Sequence, residues 1–144
     1  MANTYATLEQ LKRSAEINGD EKNVILLRHL HAASRRIEGE TNRWFYPKTE
    51  TRTYRWPRYD PGRAYCLWLD ADLRAVTSLK TKAQDSSPTT IAAADYFLEE
   101  NNQGPPYDRI EIDLSSTAAF ESGASPQRSI EVVGRWGYGE DTEG

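Results

Sequence analysis

Hydrophobic and polar positions change rhythm near residue 42 of the chain. Before it, apolar residues recur at helical spacing. Thr7 is placed to cap a helix, and Gln10 completes a capping-box pattern three residues later. Leu8, Leu11 and Ala15 then share one face, and Asn18-Gly19 supplies a stop, since both residues tolerate the left-handed conformation. Asp20 opens a second helix with a stripe of Leu26, Leu30, Ala33 and Ile37, widened by Val24, Leu27 and Ala32 and closed by Gly39 and Thr41-Asn42. The short link predicts a helical hairpin over 5–42.

After residue 42 the spacing favours strands, with Pro and Gly as punctuation. Thr49 to Trp56 alternates and predicts a two-sided strand, followed by a turn at Pro57, Asp60, Pro61 and Gly62. Tyr65, Leu67 and Leu69 predict a second strand, and Ala75 to Lys82 a third. Short strands are expected at Thr89 to Ile91 and Tyr96 to Leu98 around a turn at Asp95. Arg109 to Leu114 predicts a strand with Ile110, Ile112 and Leu114 inward. Ser115 to Gln127 reads as a surface loop with at most one helical turn. Ser129 to Trp136 predicts the last strand, and 137–144 a flexible, glycine-rich acidic tail. The fold class expected is therefore α+β in one domain over 1–144: an N-terminal two-helix hairpin, then an antiparallel β-rich body over 43–136.

A chain of 144 residues with 38% hydrophobic and 28% charged positions suits a folded domain with one modest core. The lone Cys66 excludes an internal disulfide framework. No apolar run reaches membrane-spanning length, and the polar start from Met1 to Tyr5 lacks the features of a signal peptide. These features lead to an expectation of a cytoplasmic protein without a membrane partner. The net charge of −4 is uneven: residues 43–63 carry +4 and residues 95–144 carry −8. A basic middle and an acidic end suit head-to-tail contact between copies, or different partners on different faces.

Catalytic signals are sparse. His29 and His31 lie two apart on a predicted helix and so diverge. Cys66 sits in a strand pattern and reads as a buried thiol. Asp70 with Asp72, Glu99 with Glu100, and Glu111 with Asp113 could each supply a carboxylate to a hydrolytic or carbohydrate site, but they read better as solvated sheet faces. No phosphate-loop, dinucleotide or nucleophile-elbow motif is present. No catalysis, metal or cofactor is expected.

The sharpest local feature is the basic, aromatic run containing Arg52, Tyr54, Arg55, Trp56, Arg58, Tyr59, Arg63 and Tyr65. Interleaved cations and rings suit single-stranded nucleic acid, through phosphate pairing and stacking. They suit a protein interface equally well, and the plainer reading is a hairpin whose rings pack on the core or on a neighbour and whose arginines are solvated. With Trp44, these residues up to Arg63 form the candidate contact set. The Trp44–Tyr65 region is expected to project as a hairpin arm.

Several phrases in fixed order resemble the head–tail connector, or head-completion adaptor, proteins of tailed bacteriophages. They are Tyr5-Ala-Thr-Leu-Glu-Gln-Leu-Lys12, Leu26-Leu-Arg-His-Leu-His-Ala-Ala-Ser-Arg-Arg-Ile37, Arg43-Trp-Phe-Tyr-Pro47, Leu69-Asp-Ala-Asp-Leu-Arg-Ala-Val-Thr-Ser-Leu-Lys-Thr81, Asp95-Tyr-Phe-Leu98, Tyr107-Asp-Arg-Ile-Glu-Ile112 and Val133-Gly-Arg-Trp-Gly-Tyr138. The resemblance implies a virion structural protein at the neck, made in the host cytoplasm. It implies a ring of about a dozen copies that joins the portal to a stopper or tail-completion protein. Genomic DNA would pass through its lumen without sequence-specific binding. Relatives commonly continue beyond the Trp-Gly-Tyr phrase into helices associated with docking, so the resemblance assigns no portal-binding residue here.

Overall fold

The computed structural model describes residues 4–58 and 62–139. The chain divides into two compact units, Met1–Pro47 with Tyr138–Gly144, and Lys48–Gly137. The class is α+β with a β-rich body. Among the described residues no helix is long and apolar enough to cross a membrane.

The first unit holds helix α1 (Leu8–Ser14) and helix α2 (Asn23–Thr41). The capping box at α1 is formed as its sequence predicts. Gln10 N donates to Thr7 Oγ1 at 3.0 Å, and Thr7 N donates to Gln10 Oε1 at 2.8 Å. The helix ends earlier than its stop signal, with Glu16 left-handed at φ 55° ahead of Gly19 at 86°. Asp20 does not cap α2. Its carboxylate receives Lys12 Nζ at 3.0 Å and Asn23 Nδ2 at 3.2 Å, and the cap position falls to Lys22, without a side-chain bond. Asn42 closes α2 in the left-handed conformation.

The buried line of α2 also departs from the apolar stripe. Leu30 and Ser34, one turn apart, are the buried pair, whereas Val24 and Ile37 are 71% and 44% exposed. A hydrogen bond accounts for this: Tyr5 N donates to Ser34 Oγ at 3.1 Å, so the helix turns a hydroxyl inward. An N–H left unpaired at that depth would cost about 1–3 kcal/mol, comparable with burying one more aliphatic side chain.

The second unit is a six-stranded antiparallel sheet. Its strands are β1 (Lys48–Tyr54), β2 (Cys66–Thr81), β3 (Thr89–Thr90), β4 (Tyr96–Glu99), β5 (Tyr107–Ile112) and β6 (Ile130–Trp136), in the order β1-β6-β2-β5-β4 with β3 on β2. Asp95 ends a short 3-10 turn before β4. The two strands expected at 65–69 and 75–82 are one strand, β2. Its first part pairs with β5 and its second with β6, and register shifts at Trp68/Leu73, Leu73/Ala75 and Val76/Ser78 absorb the change. Within Asp70–Arg74, which alone reads as a break, Leu73 is paired with Tyr107 on one side and Trp136 on the other, and the Asp72 carbonyl accepts from Gly137 N at 2.8 Å.

Alternate positions of β6 (Ile130, Val132 and Trp136) face inward with Leu67, Leu73, Leu79 and Ile110. The Trp136 indole is buried with its one donor satisfied, Nε1 to Glu50 O at 3.1 Å. Ile110 and Ile112 are buried as expected, but Leu114 lies past the end of β5 and is 76% exposed. Residues 115–129 contain no helical turn. They are pinned to the sheet by paired bonds between Thr81 Oγ1 and the Glu121 backbone, by Ala83 N to Ser129 O at 2.8 Å, and by the buried ring of Phe120.

The expected hairpin arm is not formed. β1 pairs along its whole length with β6, from Lys48↔Trp136 to Tyr54↔Ile130, not with the segment that follows it. Of the expected tail, Tyr138 N and Gly139 N donate to Trp44 O and Phe45 O at 2.8 and 3.0 Å, and residues 140–144 lie outside the described residues.

Candidate interaction surface

The basic, aromatic run is split by its own strand. Tyr54 is only 2% exposed, and its hydroxyl donates to Asp70 Oδ1 at 2.7 Å. Burial, with help from the Asp70 bond, pushes this phenol well above its ordinary range. Arg52 donates from Nε to Glu50 at 2.7 Å and from Nη1 to both Asp70 oxygens at 3.2 Å, and its guanidinium carbon lies 5.3 Å from the centre of the Trp136 ring. Arg58 stacks on Tyr54 at 4.7 Å. Trp56 is 8% exposed, its ring 4.8 Å from that of Phe120, and its backbone N–H donates to Pro126 O at 3.0 Å.

Two rings and two cations of the candidate set therefore serve the fold of the sheet. Arg55 and Arg63 are exposed, and Tyr65 is half-buried with its carbonyl accepting from Ile112 N at 2.8 Å. Tyr59 lies outside the described residues. Stacking a base on Tyr54 or Trp56 would require opening the core, so the nucleic-acid reading loses those two platforms.

Trp44 belongs to the first unit and is half-buried there. Beside it is an aromatic cluster that the linear sequence does not reveal. Tyr5 meets Phe45 edge-on at 5.4 Å, Phe45 meets Tyr138 edge-on at 5.5 Å, and Tyr46 lies 6.1 Å from Tyr5. The Tyr5 hydroxyl accepts from Phe45 N at 2.8 Å and donates to Glu38. Burial and the Glu38 bond push its pKa up to about 12. Arg43 caps the Tyr138 ring at 4.6 Å. Residues from positions 5, 43–46 and 138 are thus brought together.

Neighbouring cations and hydroxyls engage carboxylates from all three candidate pairs. Asp70 serves Arg52 and Tyr54, while the Asp72 carbonyl accepts from Gly137 N at 2.8 Å. Glu100 and Glu111 both hold Arg109, whose guanidinium lies 5.0 Å from the centre of the Trp68 ring. Asp113 accepts from Ser115 N and Oγ, which lower its carboxyl pKa. Burial, and next Glu111, raise the pKa of the Cys66 thiol and so disfavour the thiolate. Among the described residues no three His, Cys, Asp or Glu side chains converge to hold a metal ion. No family model, curated protein or solved structure matches the chain.

Proposed function

We propose that this chain is a virion structural protein, a non-enzymatic subunit of an adaptor ring. The ring joins the capsid portal to the tail or its stopper and extends the DNA channel. The observation that carries this reading is the fixed order of phrases across most of the chain, from Tyr5 to Tyr138, each resembling its counterpart in head–tail connector proteins. The side-chain chemistry is compatible with it: Asp70, Glu100, Glu111 and Asp113, among the carboxylates weighed for a hydrolytic site, each hold a side-chain partner. We further propose that α1 and α2 work as a hairpin, and that Arg55 and Arg63, the exposed cations of the basic run, contact a neighbouring copy or the DNA lumen.

The test is to mix the purified chain with its cognate portal protein and examine the product by electron microscopy and sedimentation. Rings of about a dozen copies seated on the portal are expected. If nothing larger than a dimer forms with portal present, the adaptor reading is wrong.

A further inference from the structure

One edge of the sheet carries a self-complementary sequence. Among the described residues β1 pairs with β6 alone. In an antiparallel ladder alternate residues direct their backbone N–H and C=O groups to opposite sides, so the other side of β1 offers a row of donors and acceptors. The strand reads Lys48-Thr-Glu-Thr-Arg-Thr-Tyr54. About Thr51 its chemistry is palindromic: one acid and one base flank it, and a threonine lies beyond each. Thr49, Thr51 and Thr53 are exposed on one face, and Glu50 and Arg52 are half-buried on the other.

We propose that β1 is a self-association edge through which two copies of this chain pair, antiparallel, about a two-fold axis at Thr51. In that register Thr51 faces the partner's Thr51, and Thr49 faces the partner's Thr53. Glu50 faces the partner's Arg52, and Arg52 faces the partner's Glu50. Two opposite-charge pairs and a threonine ladder then lie across the seam, both favourable cross-strand combinations.

The other registers are disfavoured. Centring on Glu50 sets carboxylate against carboxylate and Lys48 against Arg52. Centring on Arg52 sets guanidinium against guanidinium. A one-residue slip sends facing side chains to opposite sides of the sheet. The fold also fixes the geometry the pairing needs. Arg52 is held by its own strand's Glu50 and by Asp70 and lies over Trp136, so the charges that meet across the seam are already set in place. The edge strand β4 lacks this symmetry, since centring it on Phe97 would set Asp95 against Glu99, and β3 is only 2 residues long.

Such an isologous contact closes at two copies and does not by itself build a ring. It describes the free chain and stands independently of the adaptor reading.

The test uses Thr51→Lys and Thr51→Glu in the full chain, studied by sedimentation equilibrium alone and as a one-to-one mixture. Thr51 is exposed, so both variants should keep the parent circular dichroism spectrum. The parent chain is expected to show a monomer–dimer equilibrium. Each variant alone sets like charges on the axis and should weaken association about fivefold or more. The mixture sets lysine against glutamate and should restore it. A monomeric parent chain, a Thr51→Lys variant that dimerises like the parent, or a mixture no tighter than its components would each overturn the proposal. If either charged variant fails to fold, Thr51→Cys replaces it. Mild oxidation should cross-link that variant but not Thr53→Cys, which faces the partner's Thr49, and equal cross-linking of both refutes the register.

Discussion

Removing the Tyr54 hydroxyl tests whether the basic, aromatic run belongs to the fold or to a free surface. The ring is 2% exposed, and its hydroxyl donates to Asp70 at 2.7 Å. A hydrogen bond to a charged group contributes about 1.5–3 kcal/mol. The Asp70 side chain is 49% exposed, so after Tyr54→Phe it regains water, and the cost falls to about 1.5 kcal/mol. Asp70→Ala leaves a buried phenol without its acceptor and frees Arg52, which should cost about 2 kcal/mol. The double variant should cost little more than Asp70→Ala alone, because the phenol has already lost its partner. The implied coupling is about 1–1.5 kcal/mol.

Urea unfolding followed by tryptophan fluorescence measures all three, since Trp56 and Trp136 are buried and should report exposure. In thermal melts Tyr54→Phe should lower Tm by about 3–6 °C. Single effects that add within about 0.3 kcal/mol, or a Tyr54→Phe cost below about 0.5 kcal/mol, would show that the Tyr54–Asp70 bond does not hold this strand.

Four further outcomes are expected. Leu114→Ser should change stability by less than about 0.5 kcal/mol in the same urea assay, because Leu114 is 76% exposed. Gly134→Ala should cost about 2–3 kcal/mol, since its Cβ would stand 2.2 Å from the Ala75 carbonyl oxygen, where β6 lies against β2, and backbone cannot yield cheaply. Stability should fall as pH rises above about 10, read by melts alongside phenolate absorbance. The folded pKa of Tyr5, about 12, lies above its unfolded value of 10.0, so its contribution is complete below pH 10 and is lost as pH climbs through 12. Tyr54 acts in the same direction. Arg55→Ala should leave the melt unchanged and weaken ring assembly on the portal, measured by sedimentation, because its side chain is exposed.

Local rules made much of the architecture legible. The capping box at Thr7 and Gln10 forms, and Asn42 closes the long helix. Ile110 and Ile112 point inward, and Ile130, Val132 and Trp136 form the buried side of the last strand. Each of these depends on residues within a turn or on a period of two, which the chain itself encodes.

The misses share a different cause. Asp70–Arg74 reads as a break between strands, yet it runs through as part of β2, anchored where Leu73 pairs with Tyr107 of β5 and Trp136 of β6. Asp20 carries cap chemistry, but Lys12 takes its carboxylate. Ser34 is polar and turned inward, because the Tyr5 N–H needs an acceptor. The arginines and rings of 52–58 suggest a ligand, but Asp70, Trp136 and Phe120 engage them within the same sheet. The sequence by itself determined the element types, the α+β class and the self-complementary pattern of β1, since these follow from periodicity and residue chemistry along one segment. Only the tertiary structure decided which groups are spent on folding and which remain on the surface. The partner that satisfies a buried donor or a charge lies 16, 29 or 86 residues away, at distances that no local pattern spans.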